Sequence, residues 1–106
     1  MSNLNPIDLI LTQGVDAYTA GNLDDAQTHF LKILSINPKH PDALYFMAMI
    51  YFNGGRAEVA ESRAHDLLLQ KPSDGKALSL LGTILMSQRK LSEAIVHFEK
   101  GIKYAK

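Results

Sequence analysis

Cysteine and tryptophan are absent from this 106-residue sequence. Without thiols there is no disulfide framework, no thiolate zinc or iron–sulfur site and no cysteine nucleophile. Net charge is missing too. Eleven Lys and Arg offset eleven Asp and Glu, so no global field draws the chain to nucleic acid or to an acidic membrane surface. No apolar run approaches the roughly 20 residues that span a bilayer. The opening segment Met1–Pro6 lacks a basic stretch followed by an apolar core, so no secretory leader is expected and the expected compartment is cytoplasmic. No stretch alternates with the period of a strand. What is there, 46% hydrophobic and 21% charged residues, is the composition of a packed domain rather than a disordered tail. The length suffices for one such domain.

The sequence repeats itself with a period of 34 residues. At that offset Ala26, Ala60 and Ala94 align, as do Pro38 with Pro72, Asp8 with Asp42, Ala43 with Ala77 and Leu44 with Leu78. At twice the offset Gly14 meets Gly82, Leu23 meets Leu91, His29 meets His97, Phe30 meets Phe98 and Lys32 meets Lys100. Coincidence across so many unlike residue types marks a repeat architecture. The units are Ile7–His40, Pro41–Asp74 and Gly75–Lys106, after a lead-in over residues 1–6.

Each unit reads as two helices. In the first, Ile7, Ile10, Leu11, Gly14 and Ala17 recur at helical spacing behind an Asn5-Pro6 start, where proline's missing N–H costs nothing. Gly21-Asn22 breaks the helix, since both residues tolerate positive φ. A second helix carries Leu23, Ala26, Phe30, Ile33 and Leu34 on one face and stops before Asn37-Pro38. The corresponding helices are predicted at Asp42–Asn53 and Ala57–Gln70, then Lys76–Ser87 and Leu91–Ala105, with a break at Gln88–Lys90. Connections this short force antiparallel neighbours. The small residues Gly14, Ala48 and Gly82, with Ala26, Ala60 and Ala94, mark where paired helices approach closely. Ala64 stands where Phe30 and Phe98 stand in the other units, so a different side chain must fill that space.

The order Gln13-Gly14, Ala26, Phe30, Pro38, then Met47-Ala48, Tyr51, Ala60, Pro72, then Leu81-Gly82, Ala94, Phe98 resembles the tetratricopeptide repeat family over about the whole chain. The resemblance implies an all-α, right-handed solenoid of three helix-turn-helix repeats, with the first helix of each unit lining a concave groove. By that template the inward positions are Asp8, Leu11, Thr12, Val15, Tyr18 and Thr19, then Asp42, Tyr45, Phe46, Met49, Phe52 and Asn53, then Lys76, Ser79, Leu80, Thr83, Met86 and Ser87. Members that clamp a C-terminal carboxylate place Lys, Asn and Arg at several of these positions. Here Lys76 alone matches, while Leu11, Val15, Phe46 and Leu80 do not, so a chaperone-tail clamp is not expected. The expected groove is an apolar, aromatic and methionine-bearing strip of Tyr18, Tyr45, Met49, Phe52 and Met86, with Lys76 and Thr83. Aromatics and methionine are enriched at interfaces. Phe46 and Phe52 are also positioned to serve as core between units.

Catalytic chemistry finds no foothold. The histidines are His29, His40, His65 and His97. His29 and His97 share one repeat position and lie two units apart, and no pair stands at i, i+4 to hold a metal. There is no nucleophile elbow and no glycine-rich phosphate cradle. The last unit is basic, with Lys76, Arg89, Lys90, Lys100, Lys103 and Lys106 against Glu93 and Glu99, which reads as a solvated outer face.

The expectation is a non-catalytic protein–protein interaction scaffold, without cofactor or metal, that binds a peptide or protein segment in its groove. One alternative makes the chain the substrate-recruiting repeats of a larger protein glycosyltransferase or sulfotransferase, a resemblance suggested by the Asn37–Leu44 junction. Another makes it a self-assembling scaffold. In a stack, each second helix is covered by the next unit. Leu91, Ile95, Phe98 and Ile102 belong to a helix with no next unit, so the expectation is a longer chain or pairing of two copies through that face.

Overall fold

A computed structural model describes residues 5–104. Residues 1–4, most of the lead-in, lie outside the described residues, as do Ala105 and Lys106. Six helices follow one another: α1 (Pro6–Thr19), α2 (Leu23–Ile36), α3 (Pro41–Asn53), α4 (Ala57–Gln70), α5 (Gly75–Ser87) and α6 (Leu91–Tyr104). They form three helix pairs, each stacked on the next, in an array of 49 × 28 × 22 Å. Among the described residues there is no strand, and no helix is long and apolar enough to cross a membrane.

The helix starts follow from local chemistry. The Asn5 side chain accepts a hydrogen bond from the Ile7 N–H at 2.8 Å, with Pro6 in the first turn. α3 and α5 each begin one residue earlier than their hydrophobic spacing suggests. Pro41 is a favoured first helical residue, and the His40 imidazole Nδ1 accepts from the Ala43 N–H at 3.2 Å. Asp74 caps α5 by accepting from the N–H groups of Lys76 and Ala77 at 3.0 and 3.2 Å.

The turn inside each pair is built the same way three times. The N–H groups of Asn22, Arg56 and Lys90 donate to the carbonyls of Ala17, Tyr51 and Leu85 at 2.9, 2.8 and 2.9 Å. That six-to-one closure needs a left-handed residue just before the donor. Gly21 and Gly55 supply it with φ of +85° and +80°, but the third turn uses Arg89 at φ +64°. A left-handed residue with a Cβ costs about 1–2 kcal/mol. Arg89→Gly is therefore expected to stabilise the fold by about 0.5–1 kcal/mol after glycine's greater unfolded-state entropy, raising Tm by about 2–6 °C. Differential scanning calorimetry checks this, and an unchanged or lower Tm contradicts it.

The core is continuous along the stack. Ala26, Ala60 and Ala94 are buried where paired helices meet. At Gly14 and Gly82 the facing residue is a phenylalanine of the second helix: an added Cβ would stand 2.7 Å from the Phe30 ring or 2.9 Å from the Phe98 ring. The middle pair replaces this glycine–phenylalanine combination with Ala48 and Ala64, both fully buried. Next to them Leu81, Ile84 and Leu85 of α5 pack with Ala60 and Ala64 in one cluster, so side chains of the following pair fill the space that a phenylalanine fills elsewhere.

Candidate functional site

An open groove of about 820 Å³ lies where α3, α5 and α6 converge. α3 contributes Asp42, Tyr45 and Met49, three positions one turn apart or nearly so on a single face. Gly75, Lys76, Ser79, Leu80 and Thr83 of α5, with the capping Asp74, form the facing wall, and Gly101 and Tyr104 of α6 complete it. A smaller recess of about 120 Å³ adjoins it, sharing Asp42, Tyr45, Asp74 and Lys76 and adding Lys71 and Leu67. The lining thus alternates apolar surface with two carboxylates and two ammonium groups.

The groove's walls are held from behind by rings. Phe46 is the hub: its ring stacks on Phe30 with centroids 5.0 Å apart and meets Tyr18 and Tyr45 edge-on at 5.4 and 5.7 Å. Tyr45 is therefore fixed on one side and half-exposed to the groove on the other. Partial burial, then the Tyr18 and Asp74 charges, push its phenol above the usual tyrosine value of about 10. The folded chain keeps this proton where the unfolded chain has lost it, so stability falls as pH rises beyond about 10. Spectrophotometric titration should show a tyrosine step above pH 10 that disappears in Tyr45→Phe; an identical curve for the variant contradicts the assignment.

Of the residues expected in the groove, Tyr45, Met49, Lys76 and Thr83 line it together. Tyr18, Phe52 and Met86 do not. They share one repeat position, which faces the following pair: Tyr18 packs on Phe46, Phe52 packs against the cluster containing Leu81 and Ile84, and Met86, with no following helix described, stays half-exposed. Of the row Leu91, Ile95, Phe98 and Ile102, three face outward, while Phe98 turns its ring onto Gly82 and packs against the core. Sequence reasoning missed Gly101 and Tyr104 because the template confines the groove to first helices. The signal was Gly101, a mid-helix glycine where the other units have Ile33 and Leu67. Such a glycine costs about 1 kcal/mol against alanine and marks a close approach, here with an added Cβ only 3.2 Å from the Ser79 Oγ.

The histidines are engaged locally. Nδ1 of His29 and of His97 lies 2.7 and 2.8 Å from the carbonyls of Asp25 and Glu93, His40 caps α3, and His65 Nε2 lies 3.4 Å from Glu61 on the outer face. Among the described residues no three His, Asp or Glu side chains gather as a metal site would require.

No curated protein sequence matches the chain. Among solved structures, the first TPR of Spaghetti (RPAP3), bound to the HSP90 peptide SRMEEVD, superposes with a TM-score of 0.86 at 24% identity, over 92% of this chain and 78% of that one. The Sgt2 TPR domain from Aspergillus fumigatus gives 0.85 at 28% identity, over 94% and 67%. MamA (residues 41 to the end) from Desulfovibrio magneticus RS-1 gives 0.83 at 21% identity, over 92% of this chain and 55% of that one. These likenesses agree with the six-helix solenoid. A family model described as tetratricopeptide repeat matches residues 17–84 and a second with that description matches residues 75–106; the chain belongs to the tetratricopeptide repeat family.

Proposed function

We propose that the chain is a non-catalytic interaction module that binds a peptide segment of a partner protein in the groove between α3, α5 and α6. The observation that carries this reading is the convergence of Tyr45, Met49, Leu80 and Tyr104 on one open groove that is also lined by Asp42, Asp74, Lys76, Ser79 and Thr83. Apolar anchors surrounded by polar groups are the usual make-up of a binding hot spot. The Spaghetti domain that superposes on the chain holds a peptide, which supports a peptide as the class of ligand. The ligand itself differs. An acidic C-terminal tail needs several cationic groups, whereas here Asp42 and Asp74 offset Lys71 and Lys76. A segment with apolar or aromatic anchors suits this lining better. Selection from a random peptide display library on the full chain tests the reading. The expected outcome is a family of sequences sharing aromatic or large aliphatic anchors and competing for one site. Enrichment no greater than on a chain carrying Tyr45→Glu and Met49→Glu overturns it.

A further inference from the structure

The recess of about 120 Å³ beside the groove is the more enclosed of the two spaces. It lies where α4 ends and α5 begins, against the first two turns of α3. Its apolar lining is Pro41, Tyr45, Phe46 and Leu67, all buried or half-buried. Its charged lining is Asp42, Lys71, Asp74 and Lys76, all exposed except the half-buried Asp74. Asp42, Tyr45, Asp74 and Lys76 line both spaces. A segment lying in the groove therefore passes the recess and can place one side chain in it.

Two physical features limit what that side chain is. The first is size. An enclosed apolar cavity of about 150 Å³ admits a benzene ring, and the recess is smaller than that. Its walls do not yield readily. Phe46 is stacked on Phe30 with centroids 5.0 Å apart, and Leu67 is 1% exposed and packed with Leu44 and Ala77. Widening the recess would pull these groups out of close packing. The second feature is charge. Among the described residues, none of Asp42, Lys71, Asp74 and Lys76 takes part in an ion pair. Asp74 caps α5 through Oδ1 alone, so its Oδ2 lies outside the cap. Two carboxylates accept hydrogen bonds and two ammonium groups donate them, which matches the N–H and C=O groups of a peptide main chain. A charged ligand side chain would instead meet two attractive and two repulsive groups.

Resting on the groove reading above, we infer that the recess receives one aliphatic side chain of the bound segment, of valine to leucine size, and excludes aromatic rings, while Asp42, Lys71, Asp74 and Lys76 hold the main chain beside that residue. Aromatic anchors belong to the wider groove, beside Met49 and Tyr104. The partner is thus recognised by one aliphatic residue at a fixed place in its segment.

The test uses the tightest-binding peptide from a random display selection on the full chain. Each position is replaced in turn by Ala, Ile, Leu, Phe and Trp, and affinity is read by fluorescence anisotropy. At one position Ile and Leu should bind within about threefold of each other. Ala, Phe and Trp there should each lose about tenfold or more. With an isotope-labelled residue at that position, its methyl groups should show nuclear Overhauser contacts to the Phe46 ring and the Leu67 methyls. N-methylation of the main-chain amides at that residue and the next, one at a time, should cost about tenfold at one of them or both. Leu67→Ala opens the recess, so the preference for Leu over Phe should fall by about tenfold. If circular dichroism shows that variant unfolded, Leu67→Val takes its place, with an expected fall of about threefold. Contacts to Met49, Thr83 and Tyr104 but none to Phe46 or Leu67 overturn the inference and leave the groove reading standing. So does a residue that contacts Leu67 yet accepts Phe as well as Leu, a preference unmoved by the Leu67 variant that folds, or indifference to both N-methylations. Selection of no peptide, or an affinity unchanged by Tyr45→Glu with Met49→Glu, overturns the groove reading and this inference with it.

Discussion

Phe30→Ala is expected to destabilise the fold by about 3–5 kcal/mol, the usual cost of emptying a large aromatic site. A domain of this size has about 5–15 kcal/mol in all, so the variant should be only marginally folded at room temperature. Phe30 is fully buried, closes on the bare backbone of Gly14, and stacks on Phe46 of the next pair. It therefore links α1 and α2 to α3 as well as to each other. Gly14 cannot refill the space, because it has no side chain. In a solenoid each unit is stabilised by its neighbours, so the damage should reach α3. Urea denaturation followed by circular dichroism gives the magnitude, and amide exchange should show lost protection in α1, α2 and α3. A loss below about 1 kcal/mol would mean that Phe30 does not bridge the first two pairs.

Much of this architecture was readable from the residues, because a 34-residue period fixes many positions at once. Gly14 with Phe30 and Gly82 with Phe98 recur together since each glycine makes room for its ring. Pro6 and Pro41 mark helix starts for a backbone reason that holds in any context. The third turn falls at Gln88–Lys90, where the repeat period puts it, but its left-handed residue was not legible, because Arg89 stands where Gly21 and Gly55 announce that conformation by composition. The groove was only partly readable. Periodicity shows which residues are equivalent, but not which are covered. Tyr18, Phe52 and Met86 share a position, yet two are packed by a following pair and the third is not. Tyr104 reaches the groove because antiparallel pairing brings the last turn of α6 beside the first turn of α5, a relation between distant residues that no local pattern carries.

The second large effect is expected in the groove. Tyr45→Glu combined with Met49→Glu should weaken capture of a groove-selected peptide by about 100-fold or more, since two lost anchors of about 1.4 kcal/mol each amount to two tenfold steps. The two side chains stand one turn apart on α3 and both line the groove. Their replacement adds two negative charges beside Asp42 and Asp74, and an apolar anchor seated there would have to strip water from the new carboxylates. Both positions are half-exposed rather than core, so helicity should persist. Fluorescence anisotropy with a labelled peptide reads the loss, and circular dichroism on the same samples separates it from unfolding. Affinity within about threefold of wild type would move the binding site off α3.

The most direct measurement of where a partner binds is a 15N–1H correlation spectrum of the full chain, titrated with a peptide from the display selection. The groove reading predicts the largest shift changes at Tyr45, Met49, Lys76, Thr83 and Tyr104, with little change at Glu58, Ser62 and His65 on the outer side of α4. Changes concentrated on those α4 residues, or confined to Leu91, Ile95 and Ile102, would contradict it.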